Sequence, residues 1–88
     1  MSQSAIEEDQ ALKGAFLSAL YQRHRAGKGS PSIDMIAEDM GRPKNDETVA
    51  RISKELREAG LISGAGSFGG GIVRPEITEA GRQFVASM

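Results

Sequence analysis

The sequence contains no cysteine and no tryptophan, and its only histidine is His24. Without thiols there is neither a disulfide framework nor a thiolate metal site, which is typical of a protein from a reducing compartment. No apolar run approaches the roughly 20 residues that a membrane-spanning helix needs, and the first residues lack the pattern of a signal peptide. We therefore expect a cytoplasmic protein that does not interact with a membrane.

The residue types that carry most enzyme chemistry are also scarce. With one histidine and no cysteine, the chain offers no Ser-His-acid or Cys-His arrangement, and its glutamates fall on helix faces predicted to be solvated. A lone histidine on the flank of a helix is more often a partly covered surface residue than a metal ligand. We expect no enzymatic activity, no metal ion and no cofactor.

The chain is short, and its charges nearly balance. Its 88 residues predict a single domain, 1–88, because two domains would each be too small to fold unaided. Residues 1–8 are expected to fray. A net charge of −1 and an isoelectric point near 5.8 lack the basic balance typical of nucleic-acid-binding proteins. The charge is uneven, however, and Arg23, Arg25 and Lys28 form one basic cluster.

Two apolar stripes at helical spacing lie in the middle of the chain. Each stripe is followed by a glycine, Gly41 or Gly60, that favours the end of a helix. The stripes consist of Ile33, Ile36, Ala37 and Met40, and of Val49, Ile52, Leu56 and Ala59. We predict helices over about 33–40 and 46–59.

Capping residues support both helices. Ser32 is a suitable N-cap for the first, and either Asn45 or Asp46 for the second. Pro43 lies between the helices and prevents the first from continuing. The sequence therefore predicts a short helix, a turn and a longer helix.

An earlier helix is predicted from the stripe Leu12, Phe16, Ala19 and Leu20, with Leu17 at its edge. Its start is ambiguous, because residues 4–7 fit a capping box while Asp9 is a competing cap. Gly27 and its neighbours end it, and two or three extended residues are expected around Ser30.

The last third of the chain predicts a β-hairpin and a final helix. Two apolar runs, 61–63 and 72–74, flank a stretch in which five of eight residues are glycine, and this pattern indicates two strands with a mobile tip around Phe68. Pro75 is expected to end the second strand, since proline cannot donate to the ladder. Thr78 is the predicted cap of the final helix, whose inner face is predicted to hold Ile77, Gly81, Phe84 and Met88, with Val85 beside them.

These segments resemble the core of winged helix-turn-helix domains. The residues that carry the resemblance are Ile36-Ala37-x-x-Met40-Gly41, Thr48-Val49-x-Arg51-Ile52-x-x-x-Leu56-x-x-Ala59-Gly60-Leu61-Ile62 and Ile77-Thr78-Glu79-Ala80-Gly81. The resemblance covers about residues 10–87 and implies an α+β, mainly α fold. That fold has a three-helix helix-turn-helix core, a β-hairpin wing over 61–74 and a short C-terminal helix. One departure is the turn 42–47, which is a residue or two longer than in the compact motif and affects how the third helix docks.

The resemblance also implies a function, which is binding of double-stranded DNA by a small transcriptional regulator of prokaryotic or phage type. Helix 46–59 would then be the recognition helix in the major groove. The candidate DNA-binding residues are Arg42, Lys44, Asn45, Thr48, Arg51, Lys54 and Arg74. Arg51 is the best base reader, because its planar fork matches O6 and N7 of guanine. Asn45 suits adenine, while Thr48 or Lys44 suits phosphate, as do the basic residues after the first helix.

The same residues allow a second interpretation. Glu47 with Arg51, Arg51 with Glu55, and Lys54 with Glu58 are all i,i+4 pairs, which solubilise a helix without any partner. The acidic side chains on the predicted recognition helix also repel phosphate. A winged-helix module that binds another protein and not DNA therefore remains the alternative, and the final helix leaves open a homodimer.

Overall fold

The computed structural model describes residues 3–27, 31–64 and 74–88. In chain order the elements are α1 (Gln3–Arg25), α2 (Ile33–Asp39), α3 (Glu47–Glu58), β1 (Ile62–Ser63), β2 (Glu76–Ile77) and α4 (Glu79–Ala86). The predicted fold class is confirmed, because these ranges are mainly helical and contain a small antiparallel pair of strands.

Helix α1 is the element on which the others pack, since α2, α3, α4 and β2 all contact it. Its buried side chains are Phe16, Leu17 and Leu20. Leu17, at the edge of the predicted stripe, is completely buried as well. A helix covered by several neighbours buries a wider arc than a helix with one packed face. The rest of the core comes from Ile36, Ala37, Val49, Ile52, Leu56, Ile62 and Ile77.

The start of α1 differs from both predicted caps. The helix already includes Gln3, so residues 4–7 do not form a capping box at its start and Asp9 lies inside it. Asp9 accepts hydrogen bonds from Arg51 of α3 instead of capping its own helix. A partner distant in sequence has therefore overridden a local signal.

The caps of α2 and α3 follow the sequence closely. The Ser32 side chain accepts a hydrogen bond from the backbone N–H of Met35, and the Asp46 side chain accepts one from Thr48. Asp46, not Asn45, is therefore the cap. Asn45 instead has a φ of 58°, and its backbone N–H donates to Oδ1 of Asp34 at 3.1 Å. This bond ties the turn to α2.

Both helices end as their glycines predict. Gly41 and Gly60 have φ values of 76° and 78°, the left-handed conformation that glycine adopts without a Cβ penalty. After α3, the N–H of Gly60 bonds to the carbonyl of Arg57, and the N–H of Leu61 to that of Leu56. This Schellman pairing satisfies carbonyls that the helix leaves free and directs the chain into β1.

The strands pair with Ile62 opposite Ile77 and Ser63 opposite Glu76. Of the predicted second strand, 72–74, the structure describes only Arg74, which is in no strand. The prediction is wrong for this residue, because β2 begins after Pro75. Pro75 precedes the strand and so removes no ladder hydrogen bond, while its ring is buried. The predicted tip around Phe68 lies outside the described residues, as does Ser30, and the neighbouring Pro31 and Ser32 are in no strand.

Helix α4 begins as predicted, but its face is rotated from the prediction. Oγ1 of Thr78 accepts from the N–H of Gly81, which confirms the cap. Ile77 belongs to β2 and not to the helix, while Phe84 and Met88 are 39% and 67% exposed, so the predicted inner face is wrong for these three residues. Gly81 is buried against the backbone of Leu61, and this close approach fixes which side of α4 faces inward.

Candidate nucleic-acid interface

The outer face of α3 is defined by the opposite, buried face. The buried side chains of α3 are at most 1% exposed, and they are Val49, Ile52, Ser53 and Leu56. A side chain about half a turn away from them must therefore point to solvent. The exposed residues on that side are Glu47, Arg51, Lys54 and Glu58. The structure thus presents Arg51 and Lys54 on one face, between two glutamates.

The turn from α2 to α3 carries three of the predicted site residues. Nε of Arg42 lies 2.9 Å from Oδ2 of Asp46, and Nζ of Lys44 lies 3.8 Å from Oε1 of Glu38. Burial alone raises the pKa of Asp46, but bonds from the Thr48 N–H and from Arg42 bring it below its usual value. Arg42 therefore supports the cap of α3, while Lys44 remains largely in solvent.

Arg51 is held by two carboxylates. Its Nη1 and Nη2 atoms lie 3.1 and 3.0 Å from the two oxygens of Asp9, and Nη1 also lies 2.7 Å from Oε2 of Glu55. Glu55 in turn forms an ion pair with Lys13, whose Nζ lies 3.1 Å from Oε1 of Glu55. We call Asp9, Arg51, Glu55 and Lys13 the α1–α3 ion cluster. It connects the N-terminal half of α1 to the outer side of α3.

Within the ion cluster, each charge stabilises its neighbour. The hydrogen bonds from Arg51 lower the pKa of Asp9, and those from Lys13 and then Arg51 lower the pKa of Glu55. Asp9 and then Glu55 raise the pKa of Arg51 in return. Asp9, Arg51 and Glu55 are therefore charged at neutral pH. The carboxylates of Asp9 and Glu55 therefore offset the positive charge of Arg51.

Other cations of the domain are arranged in two ways, while Lys28 of the predicted basic cluster lies outside the described residues. Arg23 donates to both oxygens of Asp39, at 2.6 and 3.0 Å, and Arg25 lies over the ring of Tyr21 at 5.8 Å. Among the described side chains, no carboxylate lies within ion-pair distance of Lys54 or Arg57. Counting only described side chains, these two are the cations of α3 that no ion pair neutralises.

Some features of this face were not predicted from the sequence. The partnership of Arg51 with Asp9 spans 42 residues, and nothing in the local sequence marks it. Arg57 is not among the predicted DNA-binding residues, although its position three residues after Lys54 places the two side chains on one flank of the helix. Of the predicted i,i+4 pairs, Arg51 with Glu55 forms, whereas Glu47–Arg51 and Lys54–Glu58 do not form within the described part of the chain.

The described structure also contains a cavity outside this face. It has a volume of about 440 Å³ and is lined by Leu20, His24, Gly27, Pro31, Ser63, Pro75, Glu76 and Ile77. In the three described ranges, no group of three acidic, histidine or cysteine side chains is placed to hold a metal ion. No helix there is long and apolar enough to cross a membrane.

Comparison with known proteins finds no match to a family model, to a curated protein or to a solved structure. The functional interpretation therefore depends on the geometry of α2, the turn and α3. Of the predicted site residues, Arg42, Lys44 and Asn45 lie in the turn, while Thr48, Arg51 and Lys54 lie on α3. Arg74 is exposed and lies ahead of β2, away from the others in sequence.

Proposed function

We propose that this domain binds double-stranded DNA as a small transcriptional regulator, with α3 lying in the major groove. The observation that carries the proposal is the arrangement of α2, its turn and α3. Two Schellman endings, the Asp46 cap and the bond from Asn45 to Asp34 fix this helix-turn-helix, while one whole side of its second helix is exposed. A helix with an exposed outer face suits insertion into a groove about 12 Å wide.

In this proposal, the exposed residues of α3 and the turn have different roles. Arg51 and Lys54 lie centrally on the outer face and are the candidates for reading base edges, with Arg51 suited to guanine. Lys44 in the turn before α3 and Arg57 near the end of α3 suit phosphate contacts. Thr48 is half-buried in the first turn of α3, where its hydroxyl suits a nearby phosphate. Arg42 acts indirectly, by holding Asp46.

The expected affinity is modest. Glu47 and Glu58 share the outer face with Arg51 and Lys54, and both repel the phosphate backbone. Each phosphate contact contributes close to one unit to the slope of log affinity against log salt, so a face with few available cations binds with a shallow slope. Detection is therefore best at about 50 mM salt, where electrostatic binding is strong.

The proposal is tested by titrating labelled duplexes, first as a random pool and then as enriched sequences. Arg51→Ala should weaken binding to the preferred site by about 1–3 kcal/mol and relax discrimination at one base pair. Lys44→Ala should weaken all sequences alike and reduce the salt slope by about one. Arg82→Ala, which removes a cation from α4, is the matched control and should change neither property.

A second candidate function is binding of a protein partner, and one observation favours it. Arg23, Arg42 and Arg51 each have a carboxylate within 3 Å, which removes much of the positive field that DNA requires. The same titration separates the two functions. Absence of binding to pooled random duplexes at tens of micromolar protein would refute DNA binding and leave the protein partner as the better proposal.

A further inference from the structure

The contact between Asp9 and Arg51 uses the same atoms that a base would use. The two carboxylate oxygens of Asp9 lie 3.0 and 3.1 Å from Nη2 and Nη1, so the fork of the guanidinium is filled by one bidentate partner. Arginine reads guanine through a bidentate contact of the same kind, to O6 and N7. The Nη1–Nη2 end of the guanidinium cannot bond Asp9 and a guanine edge together, so Arg51 reads guanine through these two atoms only when Asp9 has left them.

Release of Arg51 from Asp9 costs little free energy, because the ion pair is exposed. The side chains of Arg51 and Asp9 are 47% and 36% exposed, and ion pairs at such positions add little to stability. The packing of α1 on α3 depends instead on buried apolar groups, such as Phe16 and Leu56. Release of Arg51 therefore leaves the core unchanged and returns the Asp9 carboxylate to water.

The second carboxylate on Arg51 also has another partner. Glu55 is 3.1 Å from Nζ of Lys13, so it keeps an ion pair after Arg51 moves away. Only Asp9 loses its partner in the exchange, and an exposed carboxylate is readily hydrated. The ion cluster therefore combines one persistent pair, Lys13 with Glu55, and one cation that can leave.

We propose that Asp9 is an internal competitor of DNA, whose carboxylate occupies the base-reading fork of Arg51 in the free domain and lowers its affinity for sites that present a guanine to Arg51. This inference rests on the proposed function of α3. The competing group lies in α1, outside the helix-turn-helix, so the first helix tunes the affinity of the third. The partner that displaces Asp9 is a guanine edge in the major groove.

The test compares two variants that remove the same charge from neighbouring positions. Asp9→Asn weakens the contact with Arg51, whereas Glu8→Gln removes an exposed carboxylate of α1 that makes no ion pair with a described side chain. In duplex titrations at fixed salt, Asp9→Asn should bind about two- to five-fold more tightly than Glu8→Gln, the factor that an exposed ion pair provides. Asp9→Glu, which keeps the charge, should stay closer to the parent affinity than Asp9→Asn.

The same comparison in the Arg51→Gln background isolates the mechanism. There, Asp9→Asn should have no larger effect than Glu8→Gln, because the fork for which Asp9 competes is gone. If Asp9→Asn binds no more tightly than Glu8→Gln in the parent background, or if its gain survives Arg51→Gln, the competitor role is refuted while DNA binding stands. If parent and Asp9→Asn are both folded by circular dichroism and neither binds any duplex, the proposed function fails and the competitor role fails with it.

Discussion

Replacement of Gly81 by alanine should destabilise the domain, although the same change usually stabilises a helix. Glycine in a helix interior is about 1 kcal/mol less favourable than alanine. At Gly81, however, an added Cβ would lie 2.1 Å from the carbonyl oxygen of Leu61 and 2.8 Å from Cγ1 of Ile77. Both distances are below any normal contact, so α4 must move away from the loop that follows α3.

The size of the effect follows from what that movement breaks. The carbonyl of Leu61 also accepts the N–H of Thr78 at 3.1 Å, so α4 cannot retreat without weakening this bond. Overpacking costs about 1–3 kcal/mol, and a lost hydrogen bond adds about 1 kcal/mol. After subtracting the gain in helix propensity, we expect Gly81→Ala to lower the free energy of unfolding by about 1–3 kcal/mol. The melting temperature should fall by roughly 5–20 °C.

Gly14 of α1 provides the matched control. A Cβ added there would lie 3.6 and 3.7 Å from Cε and Sδ of Met88, which is an ordinary van der Waals distance. Gly14→Ala should therefore show the usual gain, about 0.5–1 kcal/mol, and raise the melting temperature by a few degrees. The two variants are compared by thermal and urea unfolding followed by circular dichroism.

The opposite signs of the two changes make the reasoning refutable. If Gly81→Ala melts at or above the parent temperature, α4 does not approach the Leu61 carbonyl as the structure has it, and the rotation of α4 is wrong. If both variants are equally destabilised, the cause is a general property of helical glycines in this chain and not the close approach at Gly81.

Three further predictions concern the core, a cap and pH. Leu56→Ala should cost about 2–5 kcal/mol of the roughly 5 kcal/mol expected for a small domain, so a melting temperature within a few degrees of the parent would contradict the central position of Leu56. Thr78→Ala should cost about 1 kcal/mol by chemical denaturation, while Thr78→Ser should keep most of the cap of α4. The folded state lowers the pKa of Asp9 and Glu55 from ordinary values of 3.8 and 4.5, so their stabilisation is complete above these values and is lost as the pH falls below them. The urea midpoint should therefore decrease below about pH 4.5, and Asp9→Asn should make that decrease shallower; an identical acid profile in the variant would argue against the pair with Arg51.

The elements predicted best from the sequence are those whose signals are local. Helices α2 and α3 begin at polar caps, end at glycines and carry one apolar stripe each, so their bounds follow from neighbouring residues. The exposure of Arg51 and Lys54 followed from the same stripe by helical geometry. The succession of α2, a turn and α3 and the outward face of α3 could therefore be predicted without a structure.

The predictions that failed depend on contacts between distant parts of the chain. Ile77 falls four residues before Gly81 and so mimics a helix face, but pairing with Ile62 places it in β2. Asp9 has the character of a cap, yet its partner is 42 residues away on α3. For the candidate site, the identity of the exposed cations was predictable, whereas their neutralisation by carboxylates from other elements was not.

The position of α1 at the centre of the packing has a consequence for the order in which the domain can assemble during synthesis. Its apolar face, with Phe16 and Leu20, is made early but reaches its last core partner only when Ile77 has been added. At about 5–20 residues per second, roughly 3–11 s separate the synthesis of Leu20 from that of Ile77. Most helical stability in proteins comes from packing of the apolar face, and this face of α1 lacks its full set of partners until Ile77 has been added. Codon choice across this interval therefore sets how long chaperones and proteases have access to the growing chain before its core can close.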